Sequence, residues 1–82
     1  MAERWFQPKV PVRTPEGHRY NVGSVEAAAD VLLTWTKRGR HWGVAVACCM
    51  AALEDKATPQ EVRRTFKLAA KEEGKLLPEI SE

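Results

Sequence analysis

The hydrophobic pattern of this chain changes period near residue 24. Val10 and Val12 alternate with Pro11 and Arg13, and Tyr20 and Val22 alternate with Arg19 and Asn21. A period of two predicts strands with one face turned to a core. Between them, Thr14-Pro-Glu-Gly-His18 supplies Pro15 and Gly17 for a turn, so residues 8–22 or so read as a β-hairpin. Pro8 and Pro11 cannot donate to a ladder, which puts the first strand at a sheet edge or leaves it irregular.

From Val25 the period lengthens to that of a helix. Val25, Ala28, Ala29, Leu32 and Trp35 fall on one face of a helix spanning about 25–38. Ser24 is placed to cap it, Glu26 suits the first turn, and Lys37, Arg38 and Gly39 suit the end. A second helix covers about 42–56 and carries no charge from Trp42 to Leu53. Trp42, Val46, Cys49, Met50 and Leu53 form its bulky face, expected to pin the core. Gly43, Ala47 and Ala51 form a small face that invites a close neighbour. A helix uncharged over three turns is expected to be enclosed on more than one side. Thr58, Pro59 and Glu61 spell a capping box for a third helix over about 59–73, with Val62, Phe66 and Ala69 inward and Gly74 as its stop. The expected fold is α+β: an N-terminal hairpin packed with three helices, the middle one largely buried, in a single small domain spanning 1–82.

Composition narrows the possibilities. The chain has 82 residues, enough for one domain and too few for two. Hydrophobic residues make up 44% and charged residues 29%, an ordinary globular balance. A net charge of +2 does not by itself imply nucleic acid. No apolar run near the N-terminus reads as a secretion signal. The uncharged helix is well short of the roughly 20 residues a membrane span needs. Cys48 and Cys49 are adjacent and form no disulfide framework, so a reduced, cytoplasmic protein without membrane attachment is expected.

Candidate chemistry is sparse. His18, His41, Cys48 and Cys49 are the soft ligands. Neighbouring helical residues diverge by about 100°, and His41 lies roughly 10 Å along the helix from Cys48, so no shared metal is expected. Ser24 serves as a cap and Ser81 lies in the tail. Glu54 with Asp55, and Glu72 with Glu73, diverge around their helices. No nucleophile elbow, phosphate loop or dinucleotide fingerprint occurs. No catalytic residue, metal or cofactor is therefore expected.

Two surfaces stand out. Lys37, Arg38, Arg40, His41 and Trp42 sit in the turn between the first two helices. Uncapped helix amides beside cations make a candidate anion or partner site. Arg63, Arg64, Lys67 and Lys71 form a candidate basic surface on the third helix, suited to an acidic protein or a nucleic-acid backbone, though without a clear base-reading set.

Several segments together resemble a family of short bacterial proteins, domain of unknown function 982, found mostly in α-proteobacteria. They are PKVPV (8–12), VEAAADVLLTW (25–35), GRH (39–41), WGVAVACCMAAL (42–53) and PQEVRRTFKLAAKEEG (59–74), so the resemblance covers about residues 5–75. It implies a compact α+β domain in a bacterial cytoplasm and brings no activity, substrate or catalytic residues. Trp35, His41 and Cys49 match positions where the family often has the same residues. Lys37-Arg38 departs from the pattern, where a proline near the tryptophan is expected. The leading expectation is a small interaction or regulatory protein, as a homodimer or with a protein partner. A weak nucleic-acid-binding module using helix three and the 37–41 turn comes second. A small enzyme or metal protein centred on His41 and Cys49 comes third.

Overall fold

The structure, a computed structural model, describes residues 4–77. The chain runs β1 (Trp5–Arg13), β2 (Arg19–Ser24), α1 (Val25–Thr34), α2 (Arg40–Leu53) and α3 (Pro59–Glu73). This is a two-stranded antiparallel hairpin followed by three helices, an α+β arrangement. The tail's acidic end and Ser81 lie outside the described residues.

The hairpin turn follows from its sequence. Gly17 N–H donates to the Thr14 carbonyl at 2.9 Å, and Gly17 itself takes a left-handed φ of 87°. Pro15 fits the first turn position, and glycine is the residue that adopts positive φ without a side-chain clash. Val10 pairs with Val22, Pro11 with Asn21 and Val12 with Tyr20. β1 is an edge strand of the two-stranded sheet, as its prolines predict, and over residues 11–13 its outer edge is met by the residues after α3. Arg13 N–H donates to the Lys75 carbonyl, Leu77 N–H donates to the Pro11 carbonyl, and Val12 bridges Leu76. The Pro11 carbonyl thus points away from β2. Neighbouring N–H and C=O of one strand residue face the same side, so the missing proline amide leaves no gap in the hairpin ladder.

Between Trp5 and Val10 the register shifts. Backbone groups freed by this irregularity still need partners. Side chains of α3 supply them. Gln60 exchanges two hydrogen bonds with the Gln7 backbone, and Arg63 Nε donates to the Pro8 carbonyl at 2.6 Å.

Ser24 ends β2 and caps α1, accepting from Ala27 N–H at 3.1 Å, which is why its hydroxyl tolerates full burial. α1 is shorter than its periodicity predicts. It stops at Thr34 because Trp35 turns to extended backbone and stacks on Phe66, ring centroids 5.4 Å apart. Gly39 therefore does not close α1. It stands before α2 as that helix's N-cap with an ordinary φ of −77°. α2 in turn ends at Leu53, where Asp55 adopts a left-handed φ of 62° and Lys56 N–H donates back to the Ala51 carbonyl.

The core gathers Phe6, Val12 and Val22 from the hairpin, Leu32 and Trp35 from α1 and its end, and Val62 and Phe66 from α3. α2 contributes Ala45, Cys49 and Ala52. The expected faces of α2 hold in part: Trp42, Val46 and Cys49 of the bulky face pack on the core, whereas Met50 and Leu53 are exposed. Ala45 and Ala52, outside the expected small face, turn inward beside Cys49, and α3 brings its own buried Ala69 and Ala70, because closely packed helices need small residues where they touch; Gly43 and Ala47 stay exposed. The bulky residues Val44, Met50 and Leu53 lie on the outside, so burial of α2 is narrower than its lack of charge suggests.

Candidate functional site

The turn between α1 and α2 is built from its own polar groups. Past Trp35 the chain reverses with Arg38 at a left-handed φ of 49°. Arg38 Nε donates to the Trp35 carbonyl at 2.9 Å, and a second guanidinium nitrogen reaches the Leu33 carbonyl. Both contacts satisfy acceptors at the end of α1, the usual task of a cation there. The same guanidinium lies 4.7 Å over the Trp42 ring, and Trp42 Nε1 donates to the Leu32 carbonyl at 2.7 Å.

Gly39 offers no side chain to cap α2. The Glu72 carboxylate from α3 takes that role, and Glu73 holds the turn just before it. Glu72 accepts from His41 N–H at 2.9 Å, and Glu73 accepts from Lys37 and Arg38 N–H at 3.2 and 3.3 Å. Lys37 Nζ reaches the Glu72 carbonyl. The acidic groups sit at a helix N-terminus, where the dipole favours negative charge. The turn thus brings cations, open amides and anions together, and the anions are the chain's own. Among the five residues of the turn set, Arg40 is exposed and has no ion pair among the described residues.

The basic arc of α3 divides. Arg63 is half-buried and holds Pro8, as described above, and Lys67 is half-buried too. Arg64 and Lys71 are exposed. Lys71 lies beside the turn through Glu72, whereas Arg63 sits two helical turns away against the hairpin.

His41 and Cys49 share α2 but stand about 12 Å apart along its axis. His41 is half-buried and Cys49 is in the core. Burial, with smaller contributions from Cys48 and Glu26, pushes the Cys49 thiol up to about 12. It is protonated at neutral pH and is a poor nucleophile. His18 is exposed in the hairpin turn. Among the described residues no three His, Cys, Asp or Glu side chains are grouped to hold a metal ion. No helix of the described residues is long and apolar enough to cross a membrane.

Sequence reasoning missed two features. The first is Arg4, which ties three elements together. Its amide and guanidinium donate to Glu26 at the start of α1, and the guanidinium also reaches the Leu53 carbonyl and Asp55. Nothing local to Arg4 signals partners so distant in sequence. The second is the outer face of α2. Val44 is 50% exposed and Met50 60%, with Gly43 and Ala47 open between them. Beside Met50, between α1 and α2, lies an apolar groove of about 200 Å³, bordered by Leu33, Val46 and Leu53. Leu33 is 64% exposed. The missing charge over 42–53 was the available signal, and it pointed to an enclosure that the chain does not itself provide.

A family model described as a protein of unknown function, DUF982, matches residues 9–76. No curated protein and no solved structure matches the chain.

Proposed function

The chain belongs to the DUF982 family, whose description assigns no activity, and we propose that it is a small cytoplasmic interaction protein that binds another protein through the outer face of α2. One observation carries this reading. In a chain of 29% charged residues, α2 exposes Val44, Met50 and Leu53 with no charge between Trp42 and Leu53. Exposed apolar side chains scattered singly are normal, whereas a contiguous set with an adjoining groove marks a contact surface. The 37–42 turn, on this reading, holds α2 in position through Glu72 and Glu73.

The size of the face sets the strength of binding. Fully burying a Val, Leu or Met side chain stabilises by about 1.5–3 kcal/mol. Leu33, Val44, Met50 and Leu53 are each near half exposed, so each has roughly 1 kcal/mol left to contribute. A partner face that buries as much again brings the total to about 8 kcal/mol, which only modestly exceeds the low end of the ~4–15 kcal/mol cost of association. Binding is therefore reversible, as suits regulation rather than permanent assembly. The two free cysteines fit a reducing compartment.

The test is affinity capture of the native protein from its source cells, with the wild type compared with Met50→Glu and with Arg64→Glu. The reading expects an identified protein, or the chain itself, that is retained by wild type and Arg64→Glu and lost with Met50→Glu. Retention by Met50→Glu and loss by Arg64→Glu would move the contact to α3 and overturn it.

A further inference from the structure

We infer that the partner of the α2 face is a second copy of this chain, bound with the two α2 helices antiparallel about a two-fold axis beside Ala47. The inference rests on the reading of that face as an interaction surface and names its occupant. At about 100° per residue, Ala47 lies at the centre of the exposed arc, opposite the buried Ala45, Cys49 and Ala52. The rest of the arc is arranged symmetrically about it. Gly43 and Ala51 fall about 40° to either side, Val44 and Met50 about 60°, and Arg40 and Glu54 about 20° at the two ends.

An isologous two-fold interface makes each position before Ala47 meet the position equally far after it on the other copy. Gly43 then faces Ala51, small against small, so the backbones can approach; a Cβ at Gly43 would meet nothing in the single chain. Val44 packs beside Ala51 of the other copy on one flank, and Met50 beside Gly43 on the other. Arg40 faces Glu54, and the symmetry repeats that pair. A parallel arrangement would instead set Arg40 against Arg40.

The charges support this arrangement independently of the apolar pattern. Arg40 opens α2 and Glu54 closes it, and the first turn carries no acid and the last no base. Each charge stands at the end of the helix whose dipole disfavours it. In the single chain Glu54 has a 3.6 Å contact with exposed Lys56, a surface pair of little strength. The antiparallel pair gives both ends an opposite charge and opposes the two helix dipoles. A helix of 14 residues offers a contact about 21 Å long and about 10 Å wide, an area well below the roughly 800 Å² per partner of a standard interface. The dimer is accordingly weak.

Sedimentation equilibrium of the full chain, from low micromolar to millimolar, tests this. Wild type is expected to pass from monomer to dimer mass. Ala47→Glu places like charges on the axis and is expected to weaken the dimer about tenfold or more, with an unchanged circular dichroism spectrum. Arg40→Glu and Glu54→Arg each set like charges opposite one another and weaken their own dimers. Each also places at its helix end the charge the dipole favours, so folding is preserved. An equimolar mixture of these two variants restores opposite charges at both ends and is expected to recover wild-type association as a heterodimer. Monomer mass at every concentration, or charge variants that mixing does not rescue, overturns the inference. If wild type is monomeric while another identified protein is captured in a Met50-dependent way, the second copy is ruled out and the interaction reading stands. Failure of both removes both.

Discussion

Glu72→Ala removes the acceptor that holds the first turn of α2. Its carboxylate bonds His41 N–H at 2.9 Å, and Gly39 at the N-cap position has no side chain to replace it. A hydrogen bond to a charged group contributes about 1.5–3 kcal/mol, and an anion at a helix N-terminus about 0.3–1 kcal/mol more. Glu72 is only half-buried, so water recovers part of the loss. The expected cost is about 1–2 kcal/mol. For a domain of this length, that is a fall in Tm of about 5–15 °C. Gly39→Ala provides a second route to the same contact. A Cβ at residue 39 would lie 2.5 Å from Glu72 Oε1 and 2.6 Å from Cδ, so the carboxylate must swing off His41. Alanine is also a poorer N-cap than glycine, and that part adds to any background. The part due to displacement does not add. Urea unfolding of wild type, both single variants and the double variant gives the cycle. The double variant is expected to lose about 1 kcal/mol less than the sum of the singles. Full additivity, or a Glu72→Ala variant as stable as wild type, would refute the capping role.

Other outcomes follow from the same structure. Phe66→Ala removes a fully buried ring stacked on Trp35 and should cost about 3–5 kcal/mol, read as a lower urea midpoint and red-shifted tryptophan emission; a loss under 1 kcal/mol would contradict the stacking. Iodoacetamide at mildly alkaline pH should label Cys48 in the folded protein and Cys49 only after denaturation, because burial pushes the Cys49 thiol up to about 12; equal labelling would show that Cys49 is not enclosed. Desolvation pushes the Glu26 carboxyl up, but hydrogen bonds from the Arg4 amide, its own amide and the Arg4 guanidinium outweigh it and hold it below 4.5. Hydrogen bonds from the Thr58 amide and hydroxyl likewise lower Glu61. Both groups have folded values below their unfolded ones, so their contribution is complete above pH 4.5 and is lost as pH falls through the folded values. Glu26→Gln should therefore flatten the acid limb of the stability curve and leave its neutral shape unchanged; an unaltered acid limb would remove Glu26 from the account.

Features encoded within a few residues were legible in the sequence. Thr58, Pro59 and Glu61 form the capping box, and Gly74 ends α3 at a left-handed φ of 77°. Pro15 and Gly17 make the hairpin turn. Features set by tertiary contact were not. Trp35 continues the helical spacing of α1 yet leaves the helix to stack on Phe66, a partner 31 residues away. Asp55 ends α2 in a conformation that glycine would have announced. The faces of α2 were legible only in part, for a general reason. With no charge around the helix, size was the available guide, and size suggested that the bulky side fills the core. Close approach to α3 instead puts Ala45 and Ala52 inside beside Cys49 and leaves Met50 and Leu53 exposed. In the 37–42 turn, the sequence marked the open amides and cations but not the distant Glu72 and Glu73 that meet them.

The central claim, that the outer face of α2 is where this protein meets its partner, is tested most directly by following backbone amide NMR shifts through a dilution series. The account predicts concentration-dependent shifts centred on Gly43, Val44, Ala47, Met50 and Ala51, with smaller ones at Arg40 and Glu54, and none along the exposed face of α3. Shifts confined to Arg64 and Lys71, or to the hairpin, with α2 unmoved, would contradict it.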